Sequence, residues 1–267
     1  MITIKSPREI EIMRRGGKIT ARTLERLMAA AKPGVTTKQL DAIAEDSIRS
    51  AGGVPTFIGY HGYPASICAS VNDEVVHGIP GDRVLEEGDL LSIDIGTTFE
   101  GYVSDSAVTV AIGEVSDAAK RLMQVTQECL MHGIAVMKAG RSVGDIGAAV
   151  QKHAEANGYG VVRALVGHGV GRKMHEDPQV PNYGTPGAGA KLRAGLVLAV
   201  EPMITEGTFE VATLDDGWTV VTEDGKLAAH FEHTIAVTDE GPKILTLREV
   251  GEHQDVVLYR PAQEVAA

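Results

Sequence analysis

Cysteine is scarce in this chain. Its 267 residues include only Cys68 and Cys129, at no metal-ligand spacing. That usage fits free thiols in a reducing compartment rather than a disulfide framework. No apolar run approaches the roughly eighteen residues that a membrane-spanning helix needs. The start of the chain carries Lys5, Arg8 and Glu9 with no apolar core segment, so no secretory signal is expected. A cytoplasmic protein with no membrane role is the expectation. Positive charge is also short, with 25 Lys and Arg against 36 Asp and Glu, a net charge of −11. Such a chain gains nothing from counterion release, so no direct nucleic-acid function is expected. Arg14, Lys18, Arg22 and Arg26 recur at steps of four and would line one face of a first helix, read here as a solvated face.

What the chain does have is glycine, at 31 residues, and an ordinary apolar share. The length suffices for a sizeable core, and residues 1–267 are expected to form a single domain. Only the last residues, Gln263 to Ala267, look disordered.

An internal repeat organises the chain. KPGVTTKQL (32–40) matches KAGRSVGDI (138–146), each a turn into an amphipathic helix capped near Thr36 or Ser142. Downstream, Gly88 to Asp94 aligns with Gly195 to Glu201: a glycine, an apolar strand, then a carboxylate. Asp105-Ser-Ala-Val then aligns with Glu232-His-Thr-Ile. The second copy is longer between its strands and carries Trp218 there. The repeats run over roughly 10–115 and 116–246. They imply an α+β protein of two pseudo-twofold halves sharing a curved antiparallel sheet, with helices outside.

Asp94 interrupts the apolar LLSIDIG, and Asp105 follows a turn expected at Thr97–Gly101, so the two strands should form a hairpin. Glu201 and Glu232 intrude on apolar strands in the same way. A buried carboxylate is costly unless paired, hydrogen-bonded or metal-bound. Any one of the four alone would more often be a structural ion pair. Yet no Lys or Arg occurs at 90–112 or 196–208. The missing cation is therefore expected to be a metal. His168, between Gly167 and Gly169, is the obvious imidazole to join these oxygens, a set suited to first-row divalent ions.

Other motifs fail. His175-Glu-Asp-Pro is no HExxH, since Pro178 breaks the helix and Gln179 takes the second histidine's place. The glycines at 167, 169 and 171 lack the dinucleotide spacing, and no G-x-S-x-G elbow occurs. His132 and His153 fall in helical stretches and read as structural or solvent-facing. Strand alternation turns His233 away from Glu232 but puts His230 on the same face, close behind the metals.

With GYHGYPASICASVNDEVVHGIP (59–80), LLSIDIG, YVSDSAVT, GHGVGRKMHEDPQVPNYG (167–184), VLAVEPM and FEHTIAV, the chain resembles the short bacterial type I methionine aminopeptidases, metallopeptidases of the pita-bread fold. The resemblance runs to about residue 246. It implies a single catalytic domain that removes the initiator methionine from nascent proteins and peptides, favouring a small second residue. It also implies two divalent ions, with cobalt, manganese, iron, nickel and zinc all compatible. Asp94 would chelate one ion, His168 and Glu201 the other, and Asp105 and Glu232 would bridge them. A bridging hydroxide would attack the scissile carbonyl, with His77, His175 and Glu201 as the catalytic groups. Phe57, Tyr60, His61, Tyr63, Cys68, His77, Met174, His175 and Trp218 would surround the substrate. Met174 departs from the phenylalanine frequent there in the family, which bears on fine specificity. A monomer is expected, working on nascent N-termini at the ribosome, with the Arg14–Arg26 stripe as one docking surface. An Xaa-Pro peptidase of the same fold is disfavoured, because the first repeat leaves no room for the extra N-terminal domain usual in that group. A non-catalytic binding relative is disfavoured because all five ligands are present.

Overall fold

Each helix begins where the sequence supplies a cap. In this computed structural model, which describes residues 2–248, α1 spans Pro7–Ala30. Ser6 Oγ accepts from Glu9 N, and the Glu9 carboxylate accepts in return from Ser6 N. Two amide donors that the helix would orphan are thereby satisfied. Thr36 and Gln39 repeat the device at α2, Thr37–Ser50. Ser116 caps α3, Asp117–Ala135, and Ser142 opens α4, Val143–Ala156, with its hydroxyl bonded to Asp145. The disorder expected at 263–267 lies outside the described residues.

All strand pairings among the described residues are antiparallel. Leu90–Phe99 pairs with Ile67–Val71 on one side and Tyr102–Ala111 on the other. A five-stranded sheet runs in the order Gly241–Ile244, His233–Thr238, Val197–Val200, Gly167–Gly169, Glu176–Val180. Two three-stranded sheets complete the set. One centres on Met203–Thr205, the other joins Glu74–Val76 to Val211–Thr213 and Val220–Thr222. The hairpin turn is tighter than the sequence suggests. Thr97 and Thr98 stay in the ladder, and only Glu100 and Gly101 turn, at φ 48° and 79°. Two successive positive φ values give the connection whose twist matches the strands it joins.

The two large sheets meet along a seam. Glu232 N donates to Ala107 O at 3.0 Å, while Asp105 N donates to Thr234 Oγ1, which donates back to Asp105 O. A threonine hydroxyl thus replaces a ladder bond beside two acidic residues. Helices pack outside. Leu24, Leu27, Leu40 and Ile48 of α1 and α2 are buried in one core with Ile67, Ile93 and Ile95, joined by Ile134 and Ile146 with Leu198, Val200 and Ile235. No helix among the described residues is long and apolar enough to cross a membrane.

Candidate metal centre

Strand register brings the carboxylates together. Asp94 faces Ala107 across the hairpin and Asp105 faces Gly96, two positions along, so both carboxylates share one face. Glu201 follows the last residue of the Val197–Val200 strand, and Glu232 precedes His233 on its neighbour, with Val200 and His233 paired. His168 arrives from the adjoining strand, opposite Ala199.

His168 Nε2 lies 3.5 Å from Glu201 Oε1 and 3.7 Å from Asp105 Oδ2. Donor atoms of Asp105, His168 and Glu232 all fall within 4.8 Å of one another. His168 Nδ1 lies 2.9 Å from Gly169 O. A carbonyl can only accept, so Nδ1 carries the proton and the Nε2 lone pair is left for a cation. Burial lowers the His168 pKa to about 4, which keeps the ring neutral. Burial acts oppositely on the acids, raising Asp94 to about 7 and lifting Asp105, Glu201 and Glu232 well above the carboxylate range.

A divalent cation fits these residues. Asp94 Oδ1, Asp105 Oδ1 and Glu232 Oε1 are buried and make no hydrogen bond. Orphaned acceptors of this kind are rare in folded proteins and demand a partner. Four carboxylates with raised pKa values and a neutral imidazole lack only a positive charge. Cys68 is no competitor as a ligand, since burial first and Asp94 second keep its thiol protonated.

The five residues line one cavity of about 340 Å³ with Phe57, Tyr60, His61, Tyr63, Cys68, His77, Met174, His175 and Trp218. His230 stands behind it, 1% exposed, its Nε2 3.9 Å from Glu201 Oε2 and its pKa lowered to about 3 by burial. His233 turns to Thr246 Oγ1, at 2.9 Å. His132 stacks on His153, which pairs with Glu128 at 2.7 Å. Both lie between α3 and α4, outside the cavity. Tyr63 meets Trp218 edge-on, with ring centroids 5.0 Å apart, and its hydroxyl donates to Ile67 O and Gly78 O. The stretch holding Trp218, longer than its counterpart, is the segment paired to Glu74–Val76.

Several contributors escaped the sequence reading. Val76, Leu165, Val166 and Met203 also line the cavity. Asn182 Nδ2 donates to Glu201 O at 2.9 Å. Leu165, Val166 and Met203 sit within three residues of a ligand, a usable signal. Asn182 and Thr234 carried none.

An α+β fold of outer helices on antiparallel sheets, enclosing a carboxylate and imidazole cradle for a divalent metal, defines a metallohydrolase. The chain belongs to metallopeptidase family M24, which matches residues 11–239. Within that family it groups with the methionine aminopeptidases. It is 54% identical to the methionine aminopeptidase of Clostridium acetobutylicum, over 93% of this chain and 100% of that protein. Methionine aminopeptidase 1 of Bacillus subtilis is 53% identical, over 92% and 99%. The crystal structure of the Thermotoga maritima methionine aminopeptidase superposes with a TM-score of 0.91, at 46% identity, covering 93% of this chain and all of that one. The fold is accordingly the pita-bread fold.

Proposed function

We propose that this chain releases methionine from the N-termini of nascent proteins and peptides, preferring a small second residue. The observation that carries the reading is one cavity with two chemistries. Its floor is the orphaned carboxylates and neutral His168, and its wall is Phe57, Tyr63, Cys68, Met174 and Trp218. Aromatic edges and soft apolar groups suit a thioether side chain. The names of the relatives point the same way. The preference for a small second residue is taken from the resemblance to methionine aminopeptidases.

Asp94, Asp105, His168, Glu201 and Glu232 would hold two divalent ions, Asp105 and Glu232 shared between them. Such ions supply Lewis-acid activation of a water and of the scissile carbonyl at neutral pH. The protein does the rest. His175, held neutral by burial, donates to the carbonyl oxygen as it gains charge. His77, also neutral through burial, contacts the amide nitrogen of the second residue. A Glu201 carboxylate oxygen moves the proton to the departing amine. His230 lies behind Glu201, 3.9 Å from it, in a second ring around the ions.

We read the chain as one catalytic domain of two repeats, acting as a cytoplasmic monomer on chains emerging from the ribosome. For docking there, the basic stripe is thinner than its spacing suggests. Arg14 is bound to Glu11 at 2.6 Å and Arg26 faces Asp46 at 3.8 Å.

Metal-stripped protein, then protein given manganese or cobalt, tests the reading on Met-Ala-Ser, Met-Lys-Ser and Ala-Ala-Ser. Metal-restored release from the first alone is the expected result. Equal cleavage of all three would refute the methionine pocket and leave the metal centre standing. No release with any metal would leave a binding protein.

A further inference from the structure

Tyr60 sits in the cavity wall, and its hydroxyl is engaged by another residue of that wall. Tyr60 Oη lies 2.5 Å from His175 Nδ1, with the two rings tilted by 39° and their centroids 5.4 Å apart. Among the described residues, the His175 ring makes no other hydrogen bond.

From this contact we infer that Tyr60 is a positioning residue: its phenol donates to His175 Nδ1 and so fixes the proton of His175 on Nε2, facing the reaction. The inference rests on the methionine-releasing role proposed above. A phenol is a strong donor and an imine nitrogen a strong acceptor, so O–H···N is the better of the two possible polarities. Electrostatics agrees. His175 packs on His168, ring centroids 4.2 Å apart, in a cavity floored by carboxylates, where an N–H is preferred to a lone pair. Burial, and then Asp105, raise the Tyr60 pKa, so the phenol keeps the proton it must donate. A neutral ring bearing Nε2–H can stabilise an oxyanion, whereas the other tautomer would turn a lone pair towards it.

The local backbone is built to hold Tyr60 in place. Gly59, His61 and Gly62 all have positive φ, at 80°, 49° and 88°. Gly59 N bonds Tyr63 O, Tyr60 N bonds Phe57 O and Tyr63 N bonds Tyr60 O, which closes the turn on both sides of the tyrosine. His61 pays for this turn with a left-handed conformation unusual for a non-glycine residue. Its ring lies edge-on to Tyr60, centroids 4.4 Å apart, and limits swing of the phenol. Packing alone would not require a tyrosine at 60, because phenylalanine would fill the same wall.

The test separates wall from orienter. Long-range proton–nitrogen NMR of metal-stripped protein, with His175 assigned by loss of its signal in His175→Gln, reads the tautomer directly. The wild type should show Nε2–H, and Tyr60→Phe should shift His175 towards Nδ1–H. In metal-loaded Tyr60→Phe, kcat for Met-Ala-Ser should fall roughly ten- to a hundredfold with KM within about twofold. A wild-type His175 protonated on Nδ1 would overturn the proposal, whatever the variant does. So would an unchanged tautomer with unchanged kcat, or a rise in KM alone, which marks a pocket wall. Should the wild type release no methionine, the functional reading fails, while the NMR arm still decides the bond.

Discussion

At the scale of single residues, the centre is governed by atoms that lack partners. Asp105→Asn removes a charge where an oxygen is already orphaned. It should weaken metal binding at least a hundredfold, as measured by titration against a metal-sensitive dye, because an amide cannot replace a ligating carboxylate. Thr234→Val keeps the shape but deletes both bonds to the Asp105 backbone. Supporting groups of this type typically contribute about ten- to a hundredfold in metal affinity, and a loss in that range is expected. The titrations fix a pH dependence. A carboxyl with a folded pKa near 7, like Asp94, keeps its proton in the folded state where the unfolded chain has lost it. Folding of the metal-stripped protein therefore weakens as pH rises from about 4 through 7, and the raised carboxyls of Asp105, Glu201 and Glu232 act in the same direction. His168 and His230, buried neutral, act oppositely below about pH 6.5, where the unfolded imidazole gains a proton. The melting temperature of stripped protein should be lower at pH 8 than at pH 6.5, with the gap narrowed by manganese. The clustering of these acids was legible because a carboxylate in an apolar strand is an anomaly. Thr234 was not, since threonine is an ordinary strand residue and its hydrogen bond crosses 129 positions of sequence.

At the scale of elements, caps and hairpins follow local chemistry and were largely readable, as Thr36 and Ser142 show. The tight Glu100–Gly101 turn was placed too broadly, because threonines at 97 and 98 serve a strand as readily as a loop. Close approaches between elements left no local trace. Gly17, in the middle of α1, passes so near the segment after Gly241–Ile244 that an added Cβ would lie 2.2 Å from Leu245 O. Alanine would gain about 1 kcal/mol of helix propensity. A clash with backbone, which cannot swing aside, costs more. Gly17→Ala should lower stability by about 1–3 kcal/mol in urea denaturation. A stabilised variant would show that α1 can slide on the sheet.

At the scale of the whole molecule, the internal repeat announced antiparallel sheet with helices outside, but not where the sheets divide. That division depends on side chains such as Thr234 standing in for ladder bonds. The candidate metal centre spans the seam, with Asp94 and Asp105 on one sheet, His168 on the other, and Glu201 and Glu232 just beyond the ends of its strands. A divalent ion bound there would tie the sheets together and bind only the folded chain. At a hundredfold excess over its dissociation constant it would add about 2.7 kcal/mol. A rise in melting temperature of roughly 5–10 °C is then expected by calorimetry. No shift on loading would mean that the centre forms without coupling the sheets.

The cavity wall that pairs Glu74–Val76 with Val220–Thr222 also has a consequence in time. Its two sides are synthesised far apart, and Glu232 arrives later still. A growing chain of this protein therefore holds no finished cavity until the segment carrying Glu232 has been made. Whatever the cavity does, it can begin only after synthesis has passed Glu232.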